Sequence, residues 1–307
     1  MKHILRFTLL LGLAILQFAA SRTVRADENP IYAELVDKGV VIGDGPGIKV
    51  PQPTMPDGLD AAGQRKALES VTTVTEVKRS VDDLLRKSFV SPFVLKITDD
   101  KTTGANSTVR HVDLWFVAYG TLDAVKSEGF WKATLERETP AKEQDGPESK
   151  AVTLTDEELA ERKITPTVVG SNKERFGSGL FTLFDRVRIN GTMRSLQTEG
   201  TESVFAASVL DPRFVTDPKY PNQWRPLTRD DAGKTSEGSP LPYSGAGSYA
   251  KATKLIEPAG ALFVEFHLVF DEPAGWFNGA NLLRSKLPLL AQDGVRKFRR
   301  KLVAQAK

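Results

Sequence analysis

Hydrophobic positions change their period several times along this chain, and the changes mark out its elements. From Leu262 to Phe270 every second residue is apolar: Leu262, Val264, Phe266, Leu268 and Phe270. Successive strand side chains point to opposite faces, so this is a strand with one apolar face. Leu283, Leu287, Ala291, Val295, Phe298 and Leu302 then recur every three or four residues, the single stripe of an amphipathic helix. A preceding strand from about Tyr249 and a turn at Glu257-Pro258-Ala259-Gly260 complete a strand–turn–strand–helix unit. Its apolar strand face and helix stripe can bury each other, so it is expected to form the core. Pro288 inside the stripe predicts a kink or a second helical segment.

Upstream, two helices are expected. One starts from an N-cap at Asp57 and runs to about Val71; the other puts Val74, Val77, Val81, Leu84 and Leu85 on one face and stops at Ser91-Pro92. The period then becomes two, giving strands at Phe93–Thr98, Val109–Tyr119 and Phe130–Glu138. A charged loop from Thr139 to Lys150 follows. Thr155-Asp156-Glu157-Glu158 reads as a capping box opening a short helix. A meander spans Leu180 to Leu210, with turns expected at Asn190-Gly191, a type I′ signature, and at Glu199-Gly200. No helix fits between these strands, so the sheet is antiparallel.

Two stretches are irregular by composition. Residues 27–57 form a Gly/Pro-rich leader with a short strand at Val40–Ile42. Its Gly43-Asp44-Gly45-Pro46-Gly47 run is read as a plain turn, because it lacks the Gly-Lys-Ser/Thr ending of a phosphate loop. The Pro-rich loop 211–247 carries Phe214, Tyr220, Trp224 and Tyr243, aromatics that give it something to bury. It is expected to lie ordered across the sheet, with Trp224 and Tyr243 as candidate ligand-contacting residues. The fold class that results is α+β. A single domain over 58–307 holds an antiparallel sheet of six to eight strands, packed by the long C-terminal helix and the N-terminal helices.

Lys2 and Arg6, the apolar run Phe7 to Leu16 and the small residues Ala19, Ala20 and Ser21 follow the layout of a secretory signal peptide. Cleavage is placed after Ala26, with Ser21 as the second choice; the run is short for a bilayer span. The mature protein is therefore expected in the periplasm or outside the cell. Residues 1–26 hold four basic residues and no acid, so the 42 basic and 39 acidic residues become 38 and 39 on cleavage. That near balance removes any global case for nucleic acid. The chain has no cysteine, which excludes disulfides and thiolate chemistry and, in an exported protein, points to a bacterial source.

Candidate chemistry is sparse. His111/Asp113 and Glu265/His267 each place a histidine and an acid on one strand face, opposite the apolar one. If the two strands are neighbours, four ionisable groups could converge for acid–base work. The favoured reading is that these are polar outer faces, partly covered by Trp115 and Tyr119. Gly177-Ser178-Gly179 lacks the spacing of a nucleophile elbow, and Asp156-Glu157-Glu158 fits a helix N-terminus. No metal or cofactor is expected. The final 24 residues carry eight cations against Asp293 alone, read as a solvated face that could also meet an acidic surface.

Helices, sheet and a long closing helix, with Glu272-Pro273-Ala274-Gly275-Trp276 leading into that helix, loosely resemble helix-grip, START-like ligand-binding domains. The resemblance implies an apolar ligand between sheet and helix. The expected function is thus an exported, non-enzymatic ligand-binding or structural protein. The alternative is a secreted enzyme, such as a hydrolase, working through His111, Asp113, Glu265 and His267.

Overall fold

A computed structural model describes residues 28–101, 107–127, 130, 150–231, 233–277 and 282–305. The expected signal peptide, nearly all of the strand at Phe130–Glu138 and the charged loop after it lie outside these residues. In chain order, helices α1 (Pro30–Asp37), α2 (Ala61–Thr72) and α3 (Val81–Leu84) precede strands β1 (Val94–Lys101) and β2 (Ser107–Tyr119). Helix α4 (Leu122–Lys126), strand β3 (Lys150–Thr153), helix α5 (Asp156–Glu161) and strands β4 (Val168–Val169) and β5 (Asn172–Lys173) follow. The meander β6 (Arg175–Leu183), β7 (Val187–Glu199) and β8 (Ser203–Leu210) leads to β9 (Gln223–Arg229), β10 (Thr235–Glu237) and β11 (Leu241–Pro242). The last elements are β12 (Ala246–Lys254), β13 (Ala261–Pro273) and α6 (Leu282–Gln305).

The fold is α+β. Eleven strands form one antiparallel sheet with the order β1-β2-β13-β12-β8-β7-β6-β3; β9 pairs with β7 and carries β10 and β11. Strand β13 lies between β2 and β12, with Phe266 opposite Leu114 on one side and Ala250 on the other. Its even-numbered face meets α6: Leu262, Val264, Phe266, Leu268 and Phe270 are buried with Leu283, Leu287, Val295, Phe298 and Leu302. Phe298 stands edge-on to Phe116 and Phe130, at ring separations of 5.2 and 4.8 Å. At the end of β2, a Cβ on Gly120 would sit 2.4 Å from Leu302 Cγ, so only glycine lets the helix approach this closely. Helix α6 runs through Pro288 as one element, although proline removes a hydrogen bond there.

The opposite face of the sheet is covered too. Ile31, Tyr32 and Leu35 of α1, with Val40, Ile42 and Val50, pack on Val109, Phe205, Tyr249 and Val269. Leu68 and Val71 of α2, Val81 and Leu84 of α3, and Met55 pack on Val94, Trp115, Val117 and Phe263. The leader is therefore not wholly irregular. Asn29 caps α1 by accepting from the Ile31 and Tyr32 amides at 3.1 Å, and Pro30 occupies the first helical position. Asn-Pro is itself a helix-start signature.

Other expectations shift for physical reasons. The second early helix shrinks to α3, opened by a capping box at Ser80, and Val77 is left exposed. Asn190 and Gly191 lie inside β7, opposite Leu180 and Gly179. The turn falls instead at Phe184 and Asp185, with φ of 53° and 54°. A Cβ on Gly191 would lie 3.0 Å from Leu210 Cδ1, so tight packing within the sheet accounts for that glycine better than turn geometry does. Segment 211–247 has structure of its own: β9 pairs with β7, placing Trp224 opposite Ile189.

Arg299 corrects the solvated reading of α6. Its side chain is buried, and it donates from Nε to Val117 O at 2.8 Å, from Nη1 to the Phe89 and Ser91 carbonyls, and from Nη2 to Pro92 O at 3.0 Å. Burial pushes this guanidinium down to about 10, which leaves it charged at neutral pH. Phe298→Ala is expected to cost about 3–5 kcal/mol, Arg299→Ala at least about 2 kcal/mol, and the exposed Arg300→Ala under about 0.5 kcal/mol. Denaturant melts in which Arg299→Ala behaves like Arg300→Ala would contradict the anchoring role.

Candidate functional site

Strands β2 and β13 are neighbours, and their register places Asp113 opposite His267 and His111 opposite Val269. All four candidate residues therefore share one face of the sheet. Three of them converge. His267 Nδ1 is 2.7 Å from Asp113 Oδ1, and its Nε2 is 3.5 Å from Glu265 Oε2. His111 turns away toward β1, with Nε2 3.0 Å from Asp100 Oδ2.

The face is not an outer one. His267 is 1% exposed and Glu265 is fully buried, because the segment after α1 lies across them. Glu265 Oε2 accepts the Thr54 amide at 2.7 Å, and Oε1 accepts the Met55 amide at a longer 3.4 Å. Thr54 Oγ1 accepts from Trp115 Nε1 at 2.9 Å. Lys251, opposite Glu265 on β12, donates to Met55 O at 2.6 Å and pairs with Asp57 Oδ1 at 2.8 Å. Ser203 Oγ holds the other Asp57 oxygen at 2.8 Å, and Tyr249 OH donates to Pro51 O at 2.9 Å. Residues 51–57 are thus strapped to the sheet by a buried polar network.

The sequence reading missed Lys251, Asp57 and Thr54. Lys251 lies between Ala250 and Ala252 in a strand bordered by small residues, and a lysine so placed can reach a partner only across the sheet face. No local spacing links it to Met55 or Asp57, which lie almost two hundred residues away.

Charge balance within the network sets the titration of His267. Burial alone would lower its pKa, but hydrogen bonds and charge attraction from Asp113 and Glu265 outweigh it, and the net shift is upward. Its ring is also framed by Tyr249 at 4.7 Å and Trp115 at 5.3 Å. Burial raises the Tyr249 hydroxyl far from neutral pH, so that group does not compete for the proton. An imidazolium between two carboxylates can store a proton and hold both acids in place. Among the described residues, no group of three or more histidine, cysteine, aspartate or glutamate side chains is arranged to hold a metal ion.

Trp224 and Tyr243 are placed elsewhere, and both are buried. Tyr243 stacks on Trp276 at 5.6 Å, Trp224 meets the same indole edge-on at 6.3 Å, and Tyr243 OH donates to Asp271 O at 3.2 Å. The Glu272–Trp276 stretch thus supplies the ring that closes an aromatic wall. These aromatics pack against one another, so they present no open ligand platform.

No protein-family model matches this chain, and no curated protein matches it at a significant level.

A histidine whose folded pKa is raised contributes stability that is fully present below its unfolded pKa. That contribution is lost as pH rises through the folded value. Denaturant melts between about pH 5 and pH 9 should therefore show stability falling with pH across the histidine range, and His267→Gln should remove that slope. His267→Ala is expected to cost about 3–5 kcal/mol, the range for breaking a buried charge pair. Stability that rises with pH in this window, or a negligible cost for His267→Ala, would contradict the assignment.

Proposed function

We propose that the protein is exported, resides outside the cytoplasm of a bacterial cell and works by binding a ligand or partner, not by catalysis. One observation carries the non-catalytic reading: the strongest candidate acid–base group, Glu265 with His267, is engaged by the backbone amides of Thr54 and Met55. A carboxylate accepting two amides beneath a covering segment is placed to hold that segment, and a substrate would have to displace it. The enzyme alternative also needs His111 in the same site, whereas His111 pairs with Asp100. Export is supported by the n-region, apolar run and small residues of positions 1–26. No helix among the described residues is long and apolar enough to cross a membrane.

The helix-grip likeness belongs to this proposal in modified form. Burial of the α6 stripe against β13 and β2 supports a sheet gripped by a closing helix. Phe116, Phe266, Phe298 and Leu302 fill the space between them, so ligand binding is placed at the margin of the helix and not beneath it.

Protein recovered from periplasm or medium should begin at Asp27, or at Arg22 by the alternative cleavage. Native mass spectrometry of that material should find a co-purified ligand or second subunit. Intact Met1 in the cytoplasm would overturn export. Substrate turnover abolished by His267→Gln in a folded protein would overturn the binding assignment.

A further inference from the structure

A second concentration of charge lies at the edge of α6, and the network above does not use it. A cavity of about 190 Å³ opens between the helix and residues 89–93, lined by Arg79, Arg296, Arg299, Gln292 and the Phe89–Phe93 segment. Three arginines line it and no acid does. Among the described residues none of the three forms a salt bridge, and no aspartate or glutamate lines the cavity. The acids close to these arginines in sequence do not line the cavity: Glu76 and Asp293 are exposed, Asp82 lies 3.7 Å from Arg65, and Asp83, which also feels the charge of Arg79, is bridged to Arg86 at 2.6 Å.

The donors are incompletely used. Arg299 gives four of its five N–H groups to backbone carbonyls, which fixes the guanidinium in place and leaves one N–H over. Arg296 Nε is buried with no hydrogen-bond partner among the described residues. A charged donor buried without a partner is unfavourable, so an anion that reaches Arg296 relieves that cost. Planar guanidiniums match carboxylate and phosphate oxygens.

The rim has the opposite character. Phe89 is 43% exposed and Val90 69%, both beside the cavity mouth. A volume of this size is below the roughly 300–1,000 Å³ of a pocket that encloses a whole small molecule. It admits a head group, and the remainder of the ligand must lie over the rim.

We infer that this cavity binds the carboxylate or phosphate head group of an amphiphilic anion, whose apolar tail covers Phe89 and Val90. This deepens the binding reading by naming its site and ligand class. The two fail separately, since a ligand could co-purify at another surface while this cavity stays empty.

The test is calorimetric titration of the mature protein with octanoate, octyl phosphate, octanol and inorganic phosphate. At least one of the two amphiphilic anions should bind saturably, roughly tenfold or more tighter than either octanol or inorganic phosphate. The tighter of the two identifies the head group. Arg296→Gln should weaken that binding by roughly tenfold without unfolding the protein, because Arg296 Nε holds no structural bond. Arg79→Gln, at another lining residue, serves the same purpose if Arg296→Gln does not fold. Absence of saturable binding overturns the inference. So does octanol or inorganic phosphate binding as tightly as the amphiphiles, or an affinity unchanged in the folded variants.

Discussion

The buried carboxylate of Glu265, in the centre of the sheet, is the constraint on which the rest of this structure depends. Removing an ion from water costs several kcal/mol in a folded protein, and the cost is offset only where donors are supplied in the right places. The Thr54 and Met55 amides supply two, and His267 a third. Charge-assisted hydrogen bonds contribute about 1.5–3 kcal/mol each. The carboxylate is therefore tolerable only while residues 51–57 are in place, and those residues are held because the carboxylate is there. Lys251 and Asp57 extend the same logic one strand further.

Arg299 repeats the principle with the opposite charge. It ties the carbonyls of Phe89, Ser91 and Pro92, and that of Val117 on β2, to the closing helix. The two buried ions thus fasten separate parts of the N-terminal third to the central sheet, one on each face. Hydrophobic burial is non-directional and would permit sliding; a charge with fixed partners sets the register. The remaining cations around Arg299 make the helix margin a place where an anion is favoured.

How far the sequence revealed this depended on the range of each interaction. The alternation Leu262–Phe270 and the stripe Leu283–Leu302 identify the sheet–helix core, because both patterns are local and apolar. The Thr155 capping box is legible for the same reason. Asn190-Gly191 misleads because its turn propensity is weaker than the pairing of β7 with β6 and β9. The histidine–acid pairs are visible as pairs, yet their burial is not. Period-two polarity looks the same whether its face meets water or a polar strap, and the strap comes from more than two hundred residues away. Arg299 looks like one more cation in a basic helix, since its carbonyl partners carry no side-chain signature.

Hydrogen exchange at the Thr54 and Met55 amides tests the central claim most directly, comparing the wild type with Glu265→Gln. Both amides should be protected in the wild type. The substitution removes the charge and turns one oxygen into a donor, so exchange at both should accelerate by at least roughly tenfold, while the β2–β13 amides stay protected. Unchanged protection of Thr54 and Met55 in a folded Glu265→Gln protein would contradict the account, because the segment would then be held without the carboxylate.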